Sequence, residues 1–322
     1  MIQPLSLRRA AGSAVRLTAG LLGGCALAAA VFSSAPAFAQ EATVAAPAAA
    51  PATAPANPAL WVIRDADSTI YLFGTVHVLR PNTEWRTPKI QAAFDSASVL
   101  WMEIADPSDQ SAMMPLIQQH GISPARPLSS LLTAEELASL DAAARTMGAS
   151  AAQLDPFRPW LAGITLSVAP LIKAGYDPTS GVELVLKAQA EAAGKPIHGL
   201  ETLGDQIGIL AAMPEEEQVR FLRLTLDNFD EAAVMLDAMV TAWATGDVAT
   251  LDRVVVEDMK EESEYVYRAL LVDRNVNWAG QIQTLLEGSG TAFIAVGAAH
   301  LAGDDSVQAI LATRGVTAER VE

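Results

Sequence analysis

The sequence predicts an α/β protein: a central mixed sheet built from strands at both ends of the chain, with a large helical insertion between them. Three observations carry that reading. Apolar runs of strand length fall at residues 61–64, 69–73 and 99–104 near the start of the fold, and at 293–296 and 316–321 near its end. From about 107 to 290 the apolar residues return mostly at helical spacing. Finally, Leu72-Phe73-Gly74-Thr75-Val76-His77 is echoed by Phe293-Ile294-Ala295-Val296-Gly297-Ala298-Ala299-His300. Each is an apolar run ending in glycine with a histidine three positions on.

The fold is expected to occupy residues 59–322. Before it, Arg8, Arg9 and Arg16 precede an apolar stretch at 17–32, and Ala37-Phe38-Ala39 places small residues around a cleavage point before Gln40. That order reads as a secretory signal over 1–39. The apolar stretch is short for a bilayer span of about 20 residues, so cleavage and export to a periplasmic or secreted location are expected. Leu22-Gly23-Gly24-Cys25 also has the form of a lipoprotein box, which would lipidate Cys25 and tether the chain to a membrane. Glycine two places before the cysteine is unusual there. Residues 40–58, dominated by Ala, Pro, Thr and Val, read as a semi-extended linker.

Cys25 is the only cysteine. Cleavage after Ala39 leaves no disulfide, thiolate metal site or cysteine nucleophile. The formal charge is −16, and the leader's three arginines contribute +3, so the mature chain carries −19 by the same count. Such a surface repels phosphate backbones and anionic lipid. There is no basic patch, and no nucleic-acid partner is expected.

The elements follow in order. Runs 61–64 and 69–73 flank Asp65-Ala66-Asp67-Ser68, whose turn chemistry predicts a hairpin. A helix is expected over 85–96 and a buried strand over 99–104, with Glu103 out of place near its end. Thr133-Ala134-Glu135-Glu136 opens a helix with an acid three places after the threonine. Asp155-Pro156 opens another that Gly175 closes. A helix over 182–193 and a short strand over 197–200 follow. Pro214 and three glutamates begin a long helix whose apolar stripe runs from Val219 to Trp243, packed on the protein's own core and breaking at Gly246-Asp247. Helices over 273–286 and 304–314 flank the strand at 293–296, and 316–321 is a last alternating strand.

In open α/β sheets ligands bind at the carboxyl edge of the strands. Glycine lets the backbone turn there without a Cβ penalty. Side by side, the two glycine-ended strands would bring His77 and His300 together, and Glu103 would join them from a third strand. Two neutral imidazoles and a carboxylate make a metal site with open positions that can activate water. Zinc, manganese, iron and cobalt all suit such ligands. Without metal, His77 would act as general base on water with Glu103 orienting it. A single Gly-x-x-His is common by chance. The weight lies in the pair, together with an acid whose burial calls for a cation, a donor or a proton. Arg274, within Asp273-Arg274-Asn275, either clamps a carboxylate or oxyanion or neutralises buried acids. Glu201 either reaches the same edge or caps the helix that begins near Thr202. His120 and His198 are expected to be structural, and Asp304 and Asp305 to be N-capping acids. No Gly-x-Ser-x-Gly elbow is present.

Taken together, Ile70-Tyr71-Leu72-Phe73-Gly74-Thr75-Val76-His77, Met102-Glu103, Gly199-Leu200-Glu201-Thr202, Asp273-Arg274-Asn275 and Val296-Gly297-Ala298-Ala299-His300-Leu301 resemble the TraB/GumN family. The likeness runs from about residue 60 to 321. That family is similar to the Tiki-type metalloproteases, and more distantly to erythromycin-esterase and haem-binding ChaN-like proteins. The resemblance implies an α/β core made by the chain ends. It also implies a site of His77, Glu103 and His300 holding a divalent metal such as manganese or cobalt, with Arg274 and Asn275 nearby. Gly181-Val182-Glu183 departs from it, with glutamate where relatives usually carry aspartate. The leading expectation is an exported, metal-dependent hydrolase of peptidase type acting on a peptide or other small substrate. His77 and His300 would be ligands, Glu103 a ligand or the base, and Gly74, Gly297, Glu201 and Asn275 their supports. The alternatives are a non-catalytic module binding haem, a glycan or a peptide, and a metal-free hydrolase of esterase type.

Overall fold

The computed structural model describes residues 55–322. The expected signal segment, Cys25 and most of the expected linker lie outside the described residues. Asn57 is already tied to the fold, its N–H donating to the Ala244 carbonyl at 2.7 Å.

The predicted hairpin forms from β1 (Leu60–Arg64) and β2 (Ser68–Thr75), with Trp61 opposite Leu72 and Ile63 opposite Ile70. Asp65 closes its turn, Oδ1 accepting from the N–H groups of Asp67 at 3.1 Å and Ser68 at 2.7 Å. Four more strands complete a six-stranded mixed sheet: β3 (Val99–Met102), β4 (Ile197–Gly199), β5 (Gly290–Gly297) and β6 (Glu319–Arg320), in the order β4-β3-β5-β2-β1-β6. β4, β3, β5 and β2 are mutually parallel neighbours, while β1 runs antiparallel to β2 and β6 antiparallel to β1. The C-terminal β5 is thus inserted between two strands from the start of the fold.

Both faces of β5 are buried, which explains its continuous apolar run. Phe293 and Ala295 face one core with Phe73, Leu100 and Met102. Ile294 and Val296 face the other with Ile63, Ile70, Leu72 and Trp278. The helices are α1 (Pro88–Ser96), α2 (Gln110–His120), α3 (Ala134–Arg145), α4 (Pro159–Lys173), α5 (Val182–Ala192), α6 (Leu203–Ala212), α7 (Glu215–Asp227), α8 (Ala232–Thr245), α9 (Asp273–Leu286) and α10 (Val307–Thr313), with shorter turns between. A separate cluster, Leu128, Leu140, Leu166 and Leu222 among it, holds the helical middle together. No helix among the described residues is long and apolar enough to cross a membrane.

Several boundaries differ from expectation, each for a local reason. The helix expected from residue 85 begins at Pro88, because Thr87 caps it. Pro159, not Pro156, takes the first position of α4. The single long helix starting near Pro214 is two. α7 stops where the Asn228 side chain donates to the Leu224 carbonyl at 2.9 Å, and α8 starts after Glu231. The strand at 99–104 ends at Met102, leaving Glu103 just past it. Ser306, not Asp304 or Asp305, caps α10. The last strand shrinks to two residues. Finally, α9 has no free N-terminus: a π-helical turn, Arg268–Val272, runs directly into it, so Arg274 lies inside a continuous helical run.

Candidate functional site

The carboxyl ends of the four parallel strands lie level. Thr75 pairs with Gly297, Met102 with Ala295, and Met102 with Gly199. Just beyond them the chain supplies His77 after β2, Glu103 after β3, Glu201 after β4 and His300 after β5. The structure therefore brings His77, Glu103 and His300 together around Gly297. A methyl group on Gly297 would lie 3.1 Å from Glu103 Oε1, 3.5 Å from His300 Cδ2 and 3.7 Å from His77 Nε2. The missing side chain is the cradle in which the three meet. Gly74 serves packing: a Cβ there would lie 3.0 Å from Ala298 Cα, and its carbonyl accepts from Trp243 Nε1 at 2.8 Å.

Arg274 organises the acids. Its Nε donates to Glu201 Oε2 at 3.0 Å, and Nη2 to Glu201 Oε1 and Glu103 Oε2, both at 2.6 Å. Nη1 donates to the Leu270 carbonyl and to His300 Nε2, both at 3.0 Å. A guanidinium has five N–H groups, and all five are committed within the protein. Arg274 is thus the neutralising cation of the site and has no donor left for a substrate oxyanion. Its guanidinium also lies over the Trp278 ring, 4.6 Å from the centroid. Glu201 is a partner of Arg274, while the cap of α6 comes from Thr202 and Asp205.

The two histidines are held in opposite states. His300 Nδ1 meets Asn275 Oδ1 at 2.6 Å, and Asn275 Nδ2 donates to the Asp305 carbonyl at 2.8 Å. With Arg274 donating to Nε2, the proton of His300 belongs on Nδ1. Burial and the adjacent guanidinium push its pKa down to about 3. The 3.7 Å approach of its Nε2 to Glu103 Oε1 is accordingly not an ion pair at neutral pH. His77 Nδ1 pairs instead with Glu183 Oε1. Burial opposes the imidazolium, but the Glu183 carboxylate outweighs it and lifts the pKa to about 9. Glu103, with Oε1 accepting from the Gly297 N–H at 2.7 Å, is buried, yet Arg274 holds it down at about 2. Burial pushes Glu201 upward against the same guanidinium.

Glu183 owes its place to Gly181. A Cβ at that position would lie 2.4 Å from the His77 carbonyl oxygen, so only glycine lets α5 begin directly against the His77 loop. The Val182 N–H donates to the Val76 carbonyl at 3.1 Å and fixes the approach. The glutamate that departs from the resemblance is the partner of His77. Gln206 was not singled out by sequence. Its Nε2 donates to Glu201 Oε1 at 3.2 Å and to Glu103 Oε2 at 3.4 Å. The capping box at Thr202 and Asp205 marks the start of α6 and hence the turn from which Gln206 points. His120 and His198 lie elsewhere, His198 packed on Trp101 with ring centroids 4.8 Å apart.

A narrow cleft of about 30 Å³, room for one water-sized group, opens on this cluster, bounded by His77, Glu103, Glu183 and Gln206 and by apolar Met102, Ile104 and Pro107. Among the described residues no group of three or more His, Cys, Asp or Glu stands ready-made to hold a metal ion. Yet the donor types fit a divalent cation, and so does the cradle at Gly297. His77 Nε2 and Glu103 Oε1 face it, whereas His300 Nε2 could join only by giving up its bond from Arg274.

An uncharacterized protein of Treponema pallidum (strain Nichols) is 27% identical over 270 residues, covering 79% of this chain and 80% of that protein. The uncharacterized protein YbaP of Escherichia coli (strain K12) is 24% identical over 184 residues, covering 57% of this chain and 67% of YbaP. No solved structure matches. The family match spans residues 59–320, which takes in every strand of the sheet and every residue of the cluster at its carboxyl edge, and on that ground the chain belongs to the TraB/PrgY/GumN family.

Proposed function

We propose that this protein is an exported, metal-dependent hydrolase of peptide-like bonds, acting at the cleft beside Gly297. The observation that carries the reading is a charge deficit. Three carboxylates stand in the cluster with a single guanidinium: Glu103 and Glu201 pair with Arg274, and Glu183 pairs with His77. With both imidazoles neutral the cluster carries a formal −2, and buried charge of that kind calls for a cation or for protons. In the metal-free protein a proton on His77 offsets half of it. A divalent ion would offset all of it, held by His77 Nε2 and Glu103 Oε1, and His300 would join them only on giving up its bond from Arg274. Such an ion supplies Lewis-acid polarisation of a carbonyl and a bound water of lowered pKa. The protein's own contribution is placement. Glu183 fixes the His77 tautomer, so that Nε2 presents a lone pair to the cleft. Arg274 keeps Glu103 ionised, and Asn275 fixes the ring of His300.

The test uses the purified mature chain. Metal content is measured after loading with manganese, cobalt or zinc, and cleavage of a mixed peptide library is followed with and without chelator. We expect about one ion per chain and cleavage that chelation abolishes. His77→Ala and Glu103→Gln should lose both the ion and the activity. A wild type that binds no divalent ion and cleaves nothing sinks the reading. Cleavage that survives chelation replaces it with a metal-free hydrolase in which His77 is the base.

A further inference from the structure

We propose that the cleft takes the free amino terminus of a peptide, and that Glu183 is the residue that recognises its ammonium group. This rests on the hydrolase reading and specifies its substrate. Glu183 Oε1 is committed to His77, but Oε2 is buried and has no hydrogen-bond partner, in a residue only 9% exposed. A buried carboxylate oxygen without a donor is a costly arrangement. A ligand that enters the cleft can supply the donor it calls for. Glu183 lines the same cleft as His77 and Glu103, which places that missing donor beside the reacting bond.

The formal negative charge of the cluster favours a cationic donor over a neutral amide N–H, because charge-assisted hydrogen bonds are the stronger ones. The charge deficit by itself does not choose between a metal ion and an ammonium group. The orphaned oxygen favours the ammonium group, since it is an acceptor additional to His77 Nε2 and Glu103 Oε1, the two atoms that would hold an ion. Met102, Ile104 and Pro107 line the same cleft, and their apolar surface would meet the carbon skeleton that carries the ammonium group. The reaction would be removal of the first residue. Water oxygen adds to the carbonyl carbon of residue one, and the C–N bond to residue two breaks. Both water protons end on the departing nitrogen, giving a free amino acid carboxylate and a peptide shortened by one residue.

The experiment compares Ala-Ala-Ala with its N-acetylated form as substrates of metal-loaded wild type and E183Q, and measures binding of L-alaninamide to both proteins by calorimetry. Wild type should cleave the free peptide at least about tenfold faster by kcat/KM, a difference of the size one charged hydrogen bond supplies. In E183Q that preference should fall towards one, with KM for the free peptide rising, and alaninamide binding should be lost. If E183Q lowers kcat for both peptides alike and keeps the preference, Glu183 only orients His77 and the inference fails. Equal cleavage of the acetylated peptide by wild type overturns the inference while leaving the hydrolase reading intact. If neither peptide is cleaved, alaninamide binding decides. Binding that needs Glu183 supports amino-terminal recognition without turnover, and no binding to wild type overturns it. Should E183Q prove unstable, E183D keeps the charge at shorter reach and should weaken alaninamide binding without abolishing it.

Discussion

Arg274 is where a single substitution should be felt most widely. It neutralises Glu103 and Glu201 and also fixes the acceptor nitrogen of His300. Arg274→Met would leave these acids buried without a cation, and breaking a buried pair by removing one partner costs about 3–5 kcal/mol. Arg274→Lys should recover little, because one ammonium cannot reproduce a five-donor planar fork. Urea unfolding at pH 7 checks both, and a loss of under about 1 kcal/mol for the methionine variant would contradict this account. The histidines make a second claim, about pH. His77 is raised to about 9, so in the metal-free protein its contribution to stability is complete below its ordinary value and fades as pH rises towards 9. His300 is lowered to about 3 and Glu103 to about 2, so the unfolded chain binds their protons first and stability falls as pH drops below the ordinary range of each. Stability of the metal-free chain should therefore peak near pH 6.5. Urea midpoints across pH 3–9 give the profile, and His77→Gln should flatten its alkaline limb. At this scale the sequence named His77, Glu103, His300 and Arg274, because the glycine–histidine spacing and an acid inside an apolar run are visible in one dimension. The pairing of His77 with Glu183 was not, since it depends on how α5 lies across the loop.

Gly181 shows how an element can set the site. Its φ of −54° is open to any residue, so substitution there would meet a contact problem and not a backbone one. A Cβ 2.4 Å from the His77 carbonyl oxygen meets main chain, which cannot rotate out of the way. Gly181→Ala should destabilise the protein by about 1–3 kcal/mol, the usual range for overpacking. It should also push α5 away from His77 and loosen the Glu183 contact. Unfolding curves measure the first effect, and loss of the raised His77 pKa in a proton NMR titration measures the second. An unchanged titration would mean that α5 is positioned by something else. Element type was largely legible because helical and strand periodicities differ. Boundaries were less so, because short polar contacts decide them. Asn228 ends α7 through a side chain-to-backbone bond that apolar spacing does not register, and the Thr87 cap moves the start of α1 to Pro88.

At the scale of the whole molecule the two chain ends close on each other. β5 supplies the neighbour that both β2 and β3 need, eight paired positions with β2 and four with β3. That the ends meet followed from the repeated strand–glycine–histidine pattern. That β5 would lie between β2 and β3 did not, because both faces of all three strands are apolar and no alternation distinguishes a centre from an edge. The consequence for folding is specific. A chain ending at Gly288 keeps every helix from α1 to α9 but lacks β5, so Phe73 and Leu100 lose the Phe293 side of their core, while Trp278 and Ile282 lose Ile294 and Val296. Residues 293–296 are each at most 2% exposed in the intact protein, so their removal opens the centre of both cores at once and not a margin. The truncated chain should retain helical far-ultraviolet circular dichroism yet lose a cooperative urea transition and expose apolar surface to a hydrophobic dye. A truncated chain that still unfolds cooperatively near the intact midpoint would show that the helical middle folds on its own, and that the sheet is assembled upon it.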